Sequence, residues 1–261
     1  MRSSRKEHTQ KPQRRIRSSE AVFDILLAKV LTLELAPGLL VRESELSDLT
    51  GGSRSVVHDA LARLQDTGLV SVVPRTGVVI APIAVADVQN VFEARRALET
   101  ELAMLVARRA SDAEIQQLAA RSESLDAMFA RLTHAADGPG FVEADRAFHM
   151  YMAAIAQNPL LERAYAPVVL TNSRLMHYLF TICGPGLPEL EPHHHPVEAI
   201  RNRDPAGARD AVLLDISRGQ SLYWNSLAQR GALEVHLAAG NSSVSRKTGL
   251  VAHTSLLKAD T

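Results

Sequence analysis

An aspartate and a histidine four residues apart offer the first chemistry in this sequence. Asp145 and His149 lie in the segment FVEADRAFHMYMAAIAQNP, and this spacing places both on one face of a helix. Phe141, Phe148 and Met152 lie on or beside that face, so we expect both polar groups to point into a helical core, where they need partners. A bound divalent cation, a direct Asp–His hydrogen bond and a surface pair all explain the doublet.

A run of three histidines adds further metal-ligating groups. His193, His194 and His195 stand at the start of another predicted helix, in EPHHHPVEAIRNRD. One residue of helical register decides which of them points inward, and a surface triplet with adventitious metal affinity explains the run as well. Cys183 is the only cysteine, which excludes an internal disulfide framework and fits a reducing cytoplasm.

A different set of polar residues lies on a predicted helix from Ser53 to about Thr67. Its apolar residues recur on one helical face and predict a buried stripe of Val57, Ala60, Leu61 and Leu64. Ser55 and His58 then face outward, with Arg54 at the edge of the first turn. Arginine suits guanine and helix N-terminal amides suit phosphate, so this face fits a DNA major groove. Taken alone, it is also explained as an ordinary solvated face.

The segments around this helix favour DNA binding. Two β-branched runs, Leu69 to Val73 and Val78 to Ile80, predict a hairpin whose tip carries Arg75, Thr76 and Gly77. Two helices precede the DNA-reading helix: one is capped by Ser18 or Ser19 and stopped at Pro37-Gly38, and a shorter one covers Glu43 to Leu49 and is broken by Gly51-Gly52. Three helices and a hairpin make a winged helix-turn-helix.

The rest of the chain predicts an all-α bundle, so the fold class is mainly α. We place its helices near 84–110, 111–133, 139–157, 159–183, 193–203 and 205–230. The predicted division is a basic disordered tail at 1–18, a winged helix-turn-helix at 19–82, a bundle for effector binding and dimerisation at 83–231, and a partly mobile tail at 232–261. Residues 1–82 carry 12 Lys and Arg against 9 Asp and Glu, and the remainder 17 against 20. The basic tail fits phosphate contact as well as simple solvation, and we expect neither export nor membrane attachment.

The stretch from Pro37 to Ile80 resembles the DNA-binding domain of the GntR family. The matching residues are Pro37-Gly38, Glu45-Leu46, Ser53-Arg54, Ala60-Leu61, Leu64, Gly68-Leu69-Val70 and the wing from Pro74 to Val78. Family members usually carry operator-contacting arginines where Ser44 and His58 stand, so Arg54 is the one that remains. The resemblance therefore implies DNA binding with altered sequence specificity.

The helical remainder resembles the effector-binding FCD domain of the FadR subfamily. This resemblance implies a metal site built from Asp145, His149, a third ligand at His193 and a fourth at Asp215, where relatives usually have His. Two carboxylates and two imidazoles suit zinc, with nickel and manganese as alternatives. A divalent cation at this site would leave its formal charge at zero.

The resemblance also implies a small carboxylate as effector, such as a sugar acid, hydroxy acid or dicarboxylate. Arg95 is the first candidate to clamp it, ahead of Arg96, and Asn172 and Arg174 are candidates on a later helix. A solvated helix face paired with Glu99 or a similar residue also explains these polar side chains.

The predicted function is a cytoplasmic, homodimeric transcription regulator that binds a double-stranded operator under effector control. A regulator that senses the cation itself is the first alternative. A metal-dependent hydrolase is the second, but the sequence offers no separate general base, nucleophile motif or phosphate loop. We therefore predict that the protein is not an enzyme.

Overall fold

The N-terminal part of the chain folds as a winged helix-turn-helix. The computed structural model describes residues 18–132, 138–183 and 194–229. The elements of this part are α1 (Ser19–Leu31), β1 (Leu40–Val41), α2 (Glu43–Thr50), α3 (Arg54–Asp66), β2 (Val70–Val73) and β3 (Gly77–Ile80). The strands form an antiparallel sheet in the order β1-β3-β2, and Gly51 ends α2 in the left-handed conformation. The predicted helix-turn-helix and wing are confirmed.

Two local features of this part differ from the sequence-based prediction. β1 was not predicted, because a two-residue strand is too short to show an alternating pattern; it pairs Leu40 with Val79 and Val41 with Val78. α1 ends at Leu31 rather than at Pro37-Gly38, since Leu33 turns the chain with a left-handed φ of 64°. A non-glycine residue pays a steric cost for that conformation, so its position needs a reason from packing.

Every element described beyond β3 is a helix, and together the helices form a bundle. Their bounds are α4 (Val85–Arg109), α5 (Asp112–Phe129), α6 (Gly138–Ile155), α7 (Pro159–Cys183), α8 (His194–Arg201) and α9 (Pro205–Gln229). α4 packs along α9, and α7 packs on α6 and on α4. The predicted helices are confirmed to within a few residues at each end. No helix in the described ranges is long and apolar enough to cross a membrane.

Each part has its own hydrophobic core, and the change from one to the other falls between Ile80 and Ile83. Two apolar side chains of the described residues cross this division. Leu170 of α7 packs against the N-terminal core, and Leu33 packs against the core of the bundle. The packing of Leu33 explains why a leucine occupies a left-handed position, because the strained turn aims its side chain at the bundle.

Candidate functional site

The first candidate site is the exposed face of α3. The buried stripe is confirmed, since Val57, Ala60, Leu61 and Leu64 are each at most 1% exposed. Arg54, Ser55 and His58 are exposed on the other side, as predicted. Ser53 occupies the N-cap position with an extended backbone, but its Oγ lies 3.2 Å from Ser55 Oγ and caps no helix amide. The first-turn amides of α3 therefore receive no side-chain acceptor from their own cap residue.

The wing lies beside this face and is held in place by β1. Arg75 and Thr76 are exposed at the hairpin turn, and Arg75 adopts a left-handed φ of 65°. Gly77 has a φ of 143°, and a Cβ added there would lie 2.4 Å from the carbonyl oxygen of Val41. The position after the turn therefore requires glycine on two counts, backbone conformation and close approach.

His58 takes part in a contact between α3 and α2. Its Nδ1 lies 3.5 Å from Oε1 of Glu43, in the first turn of α2. The contact ties the exposed face of α3 to the start of α2. The N-terminus of α2 therefore borders the surface that is predicted to read DNA.

The second candidate site is a buried polar cluster inside the bundle. Glu99 is 1% exposed and receives two hydrogen bonds from Arg95 of the same helix, Nε to Oε1 at 2.6 Å and Nη2 to Oε2 at 3.3 Å. Arg95 Nη1 donates to Asn172 Oδ1 of α7 at 3.3 Å. The Tyr165 hydroxyl, also from α7, donates to Glu99 Oε1 at 2.7 Å. α4 and α7 are thus joined by polar contacts shielded from water.

Burial and charge oppose each other in this cluster. Burial by itself would lower the pKa of Arg95, but the Glu99 carboxylate outweighs it and raises that pKa above its ordinary value. Burial would likewise raise the pKa of Glu99, yet Arg95 and His149 hold it below its ordinary value. Burial and the neighbouring Glu99 raise the pKa of Tyr165 well above its ordinary value. Arg95 and Glu99 therefore form an ion pair beside a neutral tyrosine.

The hydrogen-bond chain also assigns the tautomer of His149. Since the Tyr165 proton goes to Glu99, the Tyr165 oxygen is left to accept from His149 Nδ1, which lies 3.2 Å away. Nδ1 of His149 therefore carries a proton. The other ring nitrogen, Nε2, lies 3.6 Å from Oδ1 of Asp145, which is also buried. A buried carboxylate and an imidazole nitrogen at this separation suit either a proton or a cation between them.

The other residues predicted for the metal and effector sites lie partly beside this cluster and partly elsewhere in the chain. Asp215 of α9 is half-buried, and its carboxylate helps to raise the pKa of Arg95. Within the described residues no three metal-ligating side chains come together as a group, and His193 lies outside those residues. Arg96 donates to the side chain of Gln220 on α9.

Arg174 takes no part in the hydrogen bonds of the cluster. It is 3% exposed, and its Nη2 donates to the carbonyl oxygen of Ala81, directly after the wing. Burial lowers the pKa of Arg174 to about 10, although Asp87 partly opposes this shift. Its position is at the division between the two cores rather than beside Arg95.

The sequence prediction missed Glu99 and Tyr165 as members of the cluster. Arg95 and Glu99 have the spacing of an ordinary surface ion pair, and a tyrosine among apolar residues of α7 carries no distinctive pattern. A usable signal was the position of Glu99 between Leu98 and Leu102, within the apolar stripe of α4.

Comparison with known proteins identifies the class that these two sites define. Residues 18–80 match the gntR family of bacterial regulatory proteins, and residues 90–218 match the FCD domain. The chain is 32% identical over 136 residues to an HTH-type transcriptional regulator from the TAR-I ttuE-ttuC' intergenic region of Agrobacterium vitis, covering 52% of this chain and 79% of the relative. It is 25% identical over 186 residues to the HTH-type transcriptional repressor RspR of Escherichia coli, covering 71% and 80%.

The fold has counterparts among solved structures. McbR/YncC of E. coli superposes with a TM-score of 0.66 at 19% identity, over 79% of this chain and 97% of that one. A GntR regulator from Rhodococcus sp. RHA1 gives 0.59 at 17% identity, over 79% and 97%. The protein is a DNA-binding transcriptional regulator and not an enzyme. It belongs to the GntR family, and its bundle is an FCD domain.

Proposed function

We propose that the affinity of this regulator for its operator changes, in one direction or the other, when a small carboxylate binds at the buried cluster next to a divalent metal ion. The observation that carries the proposal is the state of Arg95. Three of its five N–H donors are used by Glu99 and Asn172, and within the described residues the other two have no acceptor. A buried guanidinium with two open donors fits a ligand carboxylate.

The metal half of the proposal rests on the donor chemistry around His149. Asp145 Oδ1 and His149 Nε2 lie 3.6 Å apart, and an imidazole protonated only at Nδ1 would present its Nε2 lone pair to a metal ion. Tyr165 accepts from the other ring nitrogen, which is the outer contact that orients a metal-ligating histidine. His193 and Asp215 would complete the set. The site suits zinc, with nickel or manganese as alternatives, and the metal would supply positive charge beside the ligand carboxylate.

Charge balance limits how such a ligand is held. Glu99 cancels the charge of Arg95, and a divalent cation would cancel those of Asp145 and Asp215. A neutral site exerts little net pull on an anion. Binding would therefore depend on directed hydrogen bonds and on metal coordination, both of which select by shape.

α7 connects this cluster physically to the winged helix-turn-helix, α1 to β3, which we call the DNA-binding head. Asn172 contacts Arg95, while Arg174, two residues later, contacts the Ala81 carbonyl next to the wing. Residues two apart on an α-helix point about 200° apart, so α7 has one side in the cluster and the other on the head. Leu170 adds an apolar contact to the head. A ligand that displaces Asn172 would thereby move the anchor of the wing.

The proposed regulator acts as a homodimer that presents two α3 helices to successive major-groove turns of a near-palindromic operator. Arg54, Ser55 and His58 would read the groove, and Arg75 and Thr76 of the wing would contact the flanking backbone. The division at about residue 82 would separate this head from the effector domain.

A regulator that responds to the metal alone is the second candidate. It is favoured by the ion pair itself, because Glu99 already neutralises the charge of Arg95 without a ligand. The two candidates differ in what changes operator affinity: the cation, or the carboxylate at constant cation.

Metal analysis of protein purified without a His tag tests the metal site. We expect one zinc, nickel or manganese ion per chain, lost in Asp145→Ala and retained in Asp210→Ala, an exposed aspartate on α9. Circular dichroism checks that both variants fold. Absence of metal after loading with each ion, or equal retention in both variants, would contradict the site.

Thermal shifts and operator binding then test the ligand. Sugar acids, hydroxy acids and dicarboxylates are added to metal-loaded protein, and the operator is taken from a footprint of the region upstream of its own gene. We expect at least one acid to raise the melting temperature and to change operator affinity, with both effects weakened in Arg95→Lys, which keeps the charge and loses the planar fork. A change caused by metal, with no acid active, would establish the second candidate.

A further inference from the structure

Arg42 occupies a position where its residue type is unusual. It is the N-cap residue of α2, a place that favours Ser, Thr, Asp and Asn because their short side chains accept from the helix amides. Here the start of α2 is held differently, since Oε2 of Glu45 accepts the Arg42 backbone N–H at 2.8 Å. The long side chain of Arg42 is therefore not needed to begin the helix.

The sheet places Arg42 beside the wing. β1 and β3 pair Leu40 with Val79 and Val41 with Val78, and the next step of this register brings Arg42 opposite Gly77. A Cβ added to Gly77 would lie only 3.5 Å from the Arg42 Cα. Arg42 thus adjoins the wing residues that follow the hairpin turn.

The other neighbour of Arg42 is the exposed face of α3. The next residue along the chain, Glu43, contacts His58 on that face at 3.5 Å. Arg42 therefore lies between α3 and the wing, which are the two elements that a winged helix-turn-helix places against DNA.

The guanidinium of Arg42 is exposed and takes part in no hydrogen bond or ion pair with any described residue. In this it resembles Arg54 and Arg75 of the predicted DNA-binding surface, whereas Arg203 binds Asp112. The acidic neighbours of Arg42 are directed elsewhere, Glu43 to His58 and Glu45 to the backbone. A cation held beside a DNA-binding surface without a protein partner is available to a phosphate.

We propose that Arg42 contacts an operator phosphate and is a third basic DNA contact beside Arg54 and Arg75. Base reading requires a guanidinium fixed in plane by its surroundings, whereas a long unrestrained side chain suits the backbone, whose phosphates are the same at every base pair. Position 44, in the first turn of α2, is Ser44 and supplies no cation. Arg42 supplies one two residues earlier, from the same end of α2.

Salt-dependent DNA binding tests this contact with the full-length protein. Arg42→Gln is compared with Arg108→Gln, which removes one exposed charge from the last turn of α4, far along the chain from the head. Two probes are used: a random-sequence duplex and the footprinted fragment from upstream of the gene. Arg42→Lys, which keeps a point charge able to bind phosphate, is the conservative variant.

For Arg42→Gln we expect affinity to fall about three- to tenfold per protomer on both probes. The slope of log affinity against log salt should decrease in magnitude by about 0.9 per protomer. Arg42→Lys should retain most of the affinity and most of the salt dependence. An unchanged slope, or the same loss in Arg108→Gln, would overturn the contact. A loss on the footprinted fragment alone would overturn the phosphate assignment, because that result requires base reading.

Discussion

Replacing Glu99 by glutamine removes one charge from the buried Arg95–Glu99 pair while nearly preserving the side-chain shape. Arg95 is 7% exposed and would be left as a charge inside the bundle with neutral hydrogen-bond partners, so that the Asp215 carboxylate, which helps to raise the pKa of Arg95, would be its nearest compensation. Removing one member of a buried ion pair costs about 3 to 5 kcal/mol, mainly because the other charge stays desolvated. For a folded unit of this size, that corresponds to a fall in melting temperature of about 6 to 20 °C.

Trp224 gives a direct assay of this change. It is the one tryptophan of the chain and packs on the core of the bundle, so its fluorescence during urea unfolding reports the part that contains the pair. The matched control is Glu143→Gln on α6, whose exposed pair with Arg146 is expected to contribute less than about 1 kcal/mol. The double variant Glu99→Gln with Arg95→Met should regain much of the loss, because no unpaired charge remains.

A loss of stability below about 1 kcal/mol for Glu99→Gln would refute the reasoning, since an ordinary surface pair contributes no more than that. Failure of the double variant to recover any stability would also count against it. That outcome would mean that the cost comes from the hydrogen bond to Tyr165 rather than from the uncompensated charge.

Three further changes test the head and its connection to the bundle. Arg54→Ala should abolish discrimination between operator and random DNA in a gel-shift titration; retained selectivity would contradict the docking of α3. Gly77→Ala should weaken DNA binding about tenfold by displacing the wing, because the new Cβ would meet the Val41 carbonyl oxygen at 2.4 Å; unaltered binding would show that the wing is dispensable. Arg174→Met removes the hydrogen bond to Ala81 and should leave operator binding without ligand near normal while reducing the response to the active acid in the same titration; an undiminished response would exclude α7 as the route.

The DNA-binding head could be predicted from the sequence because its signals are local. The apolar residues of α3 recur at helical spacing, and a Pro-Arg-Thr-Gly turn between two β-branched runs predicts the wing. β1 escaped prediction because it exists only through pairing with β3, thirty-odd residues later. The left-handed turn at Leu33 was likewise invisible, since its cause is an apolar contact with a distant part of the chain.

The buried cluster was predictable only in part, for the same reason. Asp145 and His149 share a helix, so their spacing alone brings them together. Glu99 and Tyr165 join them through the packing of α7 against α4, between residues 66 positions apart. Arg174 lies two residues after Asn172, yet its hydrogen bond goes to Ala81 on the opposite side of α7; the sequence shows that the two residues share a helix but not what packs on each side of it.

The contacts between bundle and head also set a scale for the proposed regulation. Among the described residues, the hydrogen bond of Arg174 to Ala81 and the apolar packing of Leu170 and Leu33 are contacts that the proposed ligand would have to change. Coupling between two sites commonly amounts to about 1 to 3 kcal/mol, which changes affinity about 5- to 150-fold. A ligand can deliver that only through its difference in affinity for the two positions of α7. If a divalent metal neutralises the proposed site, net charge contributes little to that difference, and competition between the ligand and Asn172 for Arg95 becomes its main source. We therefore predict that Asn172→Ala reduces the response of operator affinity to the active acid.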